Sequence, residues 1–233
     1  MPLTTSLRPL AVLFDYDGTL VDTEPYWMQS EVDLFADFGV PWTTEDARRL
    51  CGTSREYSLR VQFEHLSRHG VDVSQLDSEE FYGRLSQRVM DSVTQHGVTW
   101  LPGARELLLD LQAEGVPCAI VSNSPARVLA AGLSQFPEGT IGAVIDGDMV
   151  EEGKPDPQGY RLAATQLGVD AADCIVVEDT ATGAAAGLAA GAVVAVVPGQ
   201  FPVPDAPGQV KLTGLTGVDT AGLRELFAKV CAA

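Results

Sequence analysis

The sequence predicts an α/β fold: a doubly wound, Rossmann-like parallel sheet interrupted by one inserted, all-helical segment. Three observations carry this. Short apolar runs without polar alternation recur along the chain, as expected of parallel strands covered on both faces. Stretches of helical periodicity separate them, the alternation that builds a doubly wound sheet. One long span, from Thr23 to about Gln95, shows helical periodicity and no strand signal.

In chain order, Leu10 to Phe14 reads as the first strand and runs directly into Asp15-Tyr16-Asp17-Gly18. An extended chain points side chains two apart toward the same side, so Asp15 and Asp17 read as a carboxylate pair, with a turn at Gly18 soon changing the direction. The helical insertion follows. Thr23 is placed to cap its first helix, and Pro25 is tolerated in the first turn. Leu34, Phe35 and Phe38 share one helical face, as do Leu59, Phe63 and Leu66, and the periodicity breaks at Gly39-Val40-Pro41, at Gly52 and over Gly70 to Asp77. The expected division is an α/β core of residues 1–22 and 96–233 with a helical cap, 23–95, lying over it as a lid. Beyond the insertion, Ala104 to Glu114 is helical, Cys118 to Val121 is a strand, and Ala143 to Ile145 is a weaker one. Pro157 to Leu167 is helical and Cys174 to Val177 is a strand. A buried helix from Thr180 precedes a strand over Ala192 to Val197. Phe201 to Gly217, rich in Pro and Gly, is expected to cross the surface without regular structure before a last short helix near Gly222 to Val230.

At 233 residues the chain can hold a core with a smaller inserted domain. Its formal net charge of -17 repels nucleic acid and anionic membranes, so neither is an expected partner. A phosphorylated small molecule stays open, because the field at a site can oppose the global sign. Cys51, Cys118, Cys174 and Cys231 form no CxxC pair, and Cys118 and Cys174 lie inside apolar runs, so buried thiols in a reducing cytoplasm are expected. Met1 to Pro9 lacks the pattern of an export signal. Thr180 to Pro204 carries no charge, yet Ala and Gly dominate its first half and valines its second, which suits a buried helix and strand better than a membrane span. Gly183, Gly187 and Gly191 recur every fourth residue, as in a helix lying tight on a sheet.

Ligands of an open α/β sheet gather beyond the carboxyl ends of its strands. Asp15 and Asp17 follow the first run, Ser122, Asn123 and Ser124 follow the second, and Glu178 and Asp179 follow the run ending at Val177. Lys154, in Gly153-Lys154-Pro155-Asp156-Pro157, immediately precedes a helix start. Two carboxylates about 4 Å apart repel by roughly 4 kcal/mol at an effective dielectric near 20, which favours a cation or a shared proton between them. Carboxylates, hydroxyls and one ammonium at a common rim are the composition of a metal and phosphate site. Each also has a plainer use. Ser122 suits a cap for the helix that Pro125 begins, Lys154 a solvated loop, and Glu178-Asp179 the positive end of the helix from Thr180.

In this order the four clusters resemble the motifs of the haloacid dehalogenase superfamily, in its phosphatase and phosphomutase branch. Asp15-Tyr16-Asp17-Gly18-Thr19-Leu20 with Asp22-Thr23 is similar to the first motif and Val121-Ser122-Asn123-Ser124 to the second. Gly153-Lys154-Pro155-Asp156-Pro157 is similar to the third, and Val177-Glu178-Asp179-Thr180-Ala181-Thr182-Gly183 to the fourth. The helical insertion stands where that family places a cap. The resemblance implies that Asp15 attacks phosphorus in line to form an aspartyl-phosphate, while Asp17 protonates the departing alcohol and later deprotonates water. It implies Mg²⁺ held by the Asp15 carboxylate, the Asp17 backbone carbonyl and Asp179, with Glu178 direct or through water. Lys154 and Ser122 would balance charge on the phosphoryl oxygens, with backbone donors from Tyr16, Asp17 and Asn123.

In the cap, Gly52-Thr53-Ser54-Arg55-Glu56-Tyr57-Ser58-Leu59 is similar to the pattern of β-phosphoglucomutases, where Arg55 would meet the substrate's distal group or a second phosphate. Those mutases carry a histidine at the place of Trp27. Thr23-Glu24-Pro25-Tyr26-Trp27 with Glu31 more closely resembles sugar and polyol phosphate phosphatases, and Trp27 is either a substrate platform or cap core. The expected activity is thus Mg²⁺-dependent hydrolysis of a small sugar or polyol phosphate by a cytoplasmic monomer, with a sugar phosphomutase as the alternative. A true dehalogenase leaves Asp17 and the Glu178-Asp179 pair without a use. A non-turnover phosphoacceptor of the receiver kind lacks both the second aspartate and a lid of this size.

Overall fold

A computed structural model describes residue 9 and residues 11–232. Leu10, expected to open the first strand, lies outside the described residues, as does the Met1 to Arg8 part of the segment read for an export signal. The strands are β1 Ala11–Phe14, β2 Val21–Asp22, β3 Thr99–Trp100, β4 Cys118–Val121, β5 Ala143–Ile145, β6 Cys174–Glu178, β7 Val193–Val196 and β8 Gln209–Lys211. The α-helices are α1 Glu24–Asp37, α2 Thr44–Arg48, α3 Arg55–Arg68, α4 Ser78–His96, α5 Ala104–Ala113, α6 Ala126–Leu133, α7 Gln158–Gln166, α8 Ala181–Ala190 and α9 Thr220–Cys231.

Six strands form one sheet in the order β5-β4-β1-β6-β7-β8, with every pairing parallel. The chain leaves β1 toward β4 and β5, then crosses back to β6 on the other side. The strand order therefore reverses between β1 and β6, and a crevice opens there beyond their carboxyl ends. All four residues of β1 are fully buried, and they divide between two cores. Val12 and Phe14 pack with Leu107, Leu108 and Leu111 of α5 and Phe227 of α9, whereas Ala11 and Leu13 pack with Tyr160 and Ala163 of α7. Covering both faces is why the run shows no polar alternation. Each fully buried Leu or Phe contributes about 1.5–3 kcal/mol, so the strand that delivers Asp15 is firmly anchored.

On the outer side of the sheet, α8 lies close enough that a Cβ at Gly187 would come within 2.9 Å of Val194 and 3.0 Å of Val176. Of the three evenly spaced glycines, Gly187 thus serves helix-on-sheet packing while Gly191, at φ +93°, ends α8, and among the described residues no helix is long and apolar enough to cross a membrane. Cys118 and Cys174 are buried free thiols. The segment expected to lack regular structure contains β8, a parallel strand that pairs with β7. With half-buried Gln209 and Val210 and exposed Lys211, it has no apolar run to mark it.

The helical insertion is closed at its ends by an antiparallel ribbon, with Val21 opposite Trp100 and Asp22 opposite Thr99. Its helices α1–α4 build a separate aromatic core in which Phe35 stacks on Trp42 at 4.3 Å and Phe63 meets Phe81 edge-on at 5.1 Å. His65 joins this core by hydrogen-bonding the Pro41 carbonyl at 2.9 Å. Ser54 and Asp77 cap α3 and α4. Val89 and Val93 of α4 pack on Val128 of α6, and Arg127 donates to Ser86 at 2.8 Å, so the insertion is docked on the sheet layer. Thr23 occupies the N-cap position of α1 but makes no side-chain cap, because its hydroxyl is used elsewhere.

Candidate active site

Asp15 stands one residue past β1, its amide donating to the Val177 carbonyl at 2.9 Å. The chain then folds back, with the Leu20 and Val21 amides donating to the Tyr16 carbonyl at 3.1 and 3.2 Å. Gly18 adopts φ +87°, and a Cβ there would lie 2.5 Å from Asp179 Oδ2, so both its conformation and its closeness to Asp179 require glycine. This turn ends the extended geometry that placed a cation or a shared proton between the two carboxylates, as the expected turn at Gly18 implied. Asp15 and Asp17 engage different partners instead, and the Asp17 side chain is not part of the cation-competent cluster.

Lys154 is buried, and its ammonium donates to Asp15 Oδ1 and, at 2.6 Å, to Glu178 Oε1. Glu178 is wholly enclosed. Its Oε1 also accepts from the Tyr160 hydroxyl at 2.9 Å, and its Oε2 accepts from the Asp179 and Thr180 amides, both at 3.1 Å, and from the Thr180 hydroxyl at 2.9 Å. Gly183 makes this possible, since a Cβ there would fall 1.7 Å from Glu178 Oε1. Thr180 also caps α8 through the Gly183 amide at 3.0 Å, so the helix start and the acidic pair are one construction.

Asp15, Glu178 and Asp179 each present a carboxylate oxygen within 4.8 Å of the others. Burial pushes the Asp179 carboxyl up to about 7, with the Glu178 charge adding to it, although Thr19 donates to its Oδ1 at 3.2 Å. Desolvation likewise raises Asp15 well above the ordinary carboxylate range, against the pull of Lys154. Burial alone would lower Lys154, but Asp15 and Glu178 more than offset it and the ammonium stays charged. With all four groups ionised, one ammonium faces three carboxylates, a surplus that a divalent cation neutralises. A buried, oxygen-only donor set fits a small hard cation.

Asp17 accepts hydrogen bonds from the hydroxyls of Thr23, Ser124 at 2.7 Å and Ser122 at 3.3 Å. Ser122 also accepts from the Ser124 amide at 3.0 Å and does not cap α6, whose Ala126 amide donates to Asp148 instead. Asn123 turns its carbonyl oxygen to the Lys154 amide at 3.0 Å and so ties the loop after β4 to the lysine loop. Sequence reasoning singled out neither Thr23 nor Ser124 for this contact, nor Tyr160 and Gly183 for theirs. The two hydroxyls sit inside recognised motifs, whereas a tyrosine on the buried face of α7 advertises only a need for some polar partner.

Between this cluster and the insertion lies a cavity of about 170 Å³, lined from below by Asp15, Asp17, Ser122, Asn123 and Lys154 and from above by Trp27, Gly52, Arg55 and their neighbours. Gly52, at φ +71°, accepts at its carbonyl from the Thr182 hydroxyl at 2.8 Å, which joins the insertion to the start of α8. Arg55 pairs with Glu79 at 2.6 Å and stacks over the Tyr82 ring at 4.1 Å. Trp27 lines the cavity and also packs against the insertion's own core, the second of the two places considered for it.

A central strand that runs into a buried aspartate, with a buried lysine and acidic cluster at the point where strand order reverses, defines a phosphate-handling α/β enzyme class. The model of the haloacid dehalogenase-like hydrolases matches residues 9–191, and the chain belongs to that family. It is 29% identical to hexitol phosphatase B of Escherichia coli (strain K12), over 97% of this chain and 98% of that one. It is 32% identical, over 85% of its length, to the bifunctional riboflavin kinase/FMN phosphatase of Arabidopsis thaliana, and spans 51% of that longer protein. The crystal structure of CbbY from Rhodobacter sphaeroides in complex with phosphate superposes with a TM-score of 0.79 at 26% identity, covering 92% of this chain and 99% of that one.

Proposed function

We propose that the protein hydrolyses a small sugar or polyol phosphate through an aspartyl-phosphate on Asp15, with residues 23–95 acting as the cap of a core made from 1–22 and 96–233. The observation that carries this is the division of the two aspartates. Asp15 is bound to a charged, buried lysine, while Asp17 is held beside it by three hydroxyls. A nucleophile and a proton carrier need such separate settings, since one must attack phosphorus and the other must reach the leaving oxygen without doing so. The names of the relatives, hexitol phosphatase and FMN phosphatase among them, support the same reaction class.

In the first step an Asp15 oxygen forms a bond to phosphorus as the ester P–O bond breaks, and Asp17 delivers its proton to the departing alkoxide. In the second, Asp17 takes a proton from water as that water attacks phosphorus, and inorganic phosphate leaves with the Asp15 carboxylate restored. Lys154, pinned by Glu178, stays charged and donates to the phosphoryl oxygens where negative charge redistributes. Ser122 and the backbone amides of Tyr16, Asp17 and Asn123 orient the same oxygens. The Asp15 and Asp179 carboxylates and the Asp17 carbonyl would hold Mg²⁺, with Glu178 direct or through water, and the ion would supply further neutralisation of the phosphoryl group. For a mutase, Arg55 would have to leave Glu79 to meet a second phosphate, which favours hydrolysis.

The test is release of inorganic phosphate from glucitol 6-phosphate with Mg²⁺, by the native protein and by Asp15→Asn. Turnover is expected in the first and none in the second; equal turnover in both removes Asp15 as nucleophile. With a hexose 1-phosphate, phosphorus resonance is expected to show inorganic phosphate, and a dominant 6-phosphate isomer would establish the mutase instead.

A further inference from the structure

We propose that Gln62 and Glu31, which face the cavity from the helical insertion, form a subsite for hydroxyl groups, so that the end of the substrate remote from its phosphate is a neutral polyhydroxylated chain. Neither a second phosphate nor a carboxylate fits there. The proposal rests on the phosphatase reading above and specifies its substrate class.

Gln62 lies on α3 with 1% of its surface exposed and lines the cavity wall, and its enclosed Oε1 has no hydrogen-bond partner among the described residues. A buried amide carbonyl left without a donor costs stability, and such groups are rare unless something meets them. No described protein group supplies that donor, and the cavity is the free volume beside this side chain. Glu31, on α1 and 7% exposed, lines the same wall. Its Oε2 accepts from the Trp42 indole at 2.9 Å and Gln62 also hydrogen-bonds its carboxyl, but no Lys or Arg pairs with it among the described residues. Burial pushes this carboxyl up to about 7, so near neutral pH it both donates and accepts.

A hydroxyl matches that pair, since it donates to Gln62 Oε1 and exchanges either role with Glu31. An anionic tail would meet a carbonyl oxygen and a carboxyl with no opposing charge, because Arg55, the nearby cation on this wall, is committed to Glu79 and Tyr82. Met28, Leu59 and Leu85 supply apolar surface for the C–H faces of the chain, the usual mixture in a small-molecule pocket.

The test uses Gln62→Met, nearly isosteric and without the amide, with glucitol 6-phosphate and p-nitrophenyl phosphate as substrates. The ratio of kcat/KM for the first over the second is expected to fall about tenfold, mostly through KM. Calorimetry on the Asp15→Asn protein gives a second readout that does not need turnover and leaves position 62 intact. There, glucitol 6-phosphate is expected to bind at least tenfold more tightly than fructose 1,6-bisphosphate. An unchanged ratio in Gln62→Met, or tighter binding of the bisphosphate, overturns the subsite and leaves the hydrolase in place. If the native protein hydrolyses neither ester the phosphatase reading falls, and the calorimetric comparison alone decides the subsite.

Discussion

Gly183→Ala tests whether the lysine must be pinned by Glu178. Gly183 lies in α8 with ordinary helical backbone, so helix propensity alone predicts that alanine stabilises by about 0.5–1 kcal/mol. The new methyl carbon, however, would fall 1.7 Å from Glu178 Oε1, 1.9 Å from its Cδ and 2.3 Å from Oε2. Contacts shorter than 3.0 Å force something to shift, and 3.0 minus 1.7 leaves at least 1.3 Å for the carboxylate to retreat. That retreat breaks the bonds to Lys154 at 2.6 Å and Tyr160 at 2.9 Å. Hydrogen bonds to a charged group contribute about 1.5–3 kcal/mol each, so losing two costs roughly 3–6 kcal/mol and outweighs the helix gain. Misplacing a reacting group by about 1 Å costs on the order of a hundredfold in rate. The expected result is kcat/KM for p-nitrophenyl phosphate down by about two orders of magnitude, with a lower melting temperature. Gly83→Ala in α4 is the control, because its nearest new contact is Arg127 at 3.7 Å. It should keep its activity and melt at the same temperature or higher. If Gly183→Ala behaves like the control, the enclosure of Glu178 has no bearing on Lys154 and the mechanism built on it is wrong.

Removal of divalent cations with EDTA should abolish turnover and lower the melting temperature, and added Mg²⁺ should restore both, by about 2.7 kcal/mol when present at a hundred times its Kd. Undiminished turnover in EDTA would exclude a cation at the Asp15, Glu178 and Asp179 cluster. Glu31 gives a pH dependence of defined sign. Its carboxyl titrates near 7 in the fold against 4.5 ordinarily, so the folded protein holds the extra proton between those values and stability is lost as pH rises through 7. The shift of 7 minus 4.5 is worth roughly 3 kcal/mol at 1.36 kcal/mol per unit. Glu31→Gln removes it, so denaturant unfolding at pH 5 and pH 8 should show the native protein losing about that much relative to the variant. A gap that does not change with pH would mean that Glu31 is solvated.

The sheet was legible where burial on both faces writes an unbroken apolar run. Cys118 to Val121 and Ala143 to Ile145 match β4 and β5 at both ends, and the runs at Cys174 and Ala192 differ from β6 and β7 by a residue or two. Elements that bury little left no such trace. Strand β8 is held by main-chain pairing at an edge, so Gln209-Val210-Lys211 reads as loop, and the β2–β3 ribbon is two residues long on each side. Thr23 illustrates a competition that local sequence does not resolve, since a threonine before a helix is a good cap. Asp17 takes its hydroxyl, and Pro25 in the first turn of α1 already lacks one of the amides a cap would serve.

The same distinction separates the motif residues from their division of labour. Spacing alone placed seven polar side chains at the ends of strands and paired Asp15 with Asp17 and Glu178 with Asp179, and their separate roles were expected only from the family resemblance. The fold regroups them. A turn that only glycine at 18 permits sends Asp17 to three hydroxyls, and Glu178 spends both of its oxygens on five protein donors. Among the described residues Asp179 has the Thr19 hydroxyl as its one side-chain donor and Asp15 has Lys154, so these two would keep the most oxygen capacity for a cation while Glu178 chiefly fixes the lysine. Two residues enforce this arrangement, Tyr160 by a hydroxyl and Gly183 by the lack of a side chain. Neither carries charge, and although Gly183 closes the fourth motif, what these two supply is a position and an empty volume, quantities that exist only once α7 and α8 have packed against the sheet.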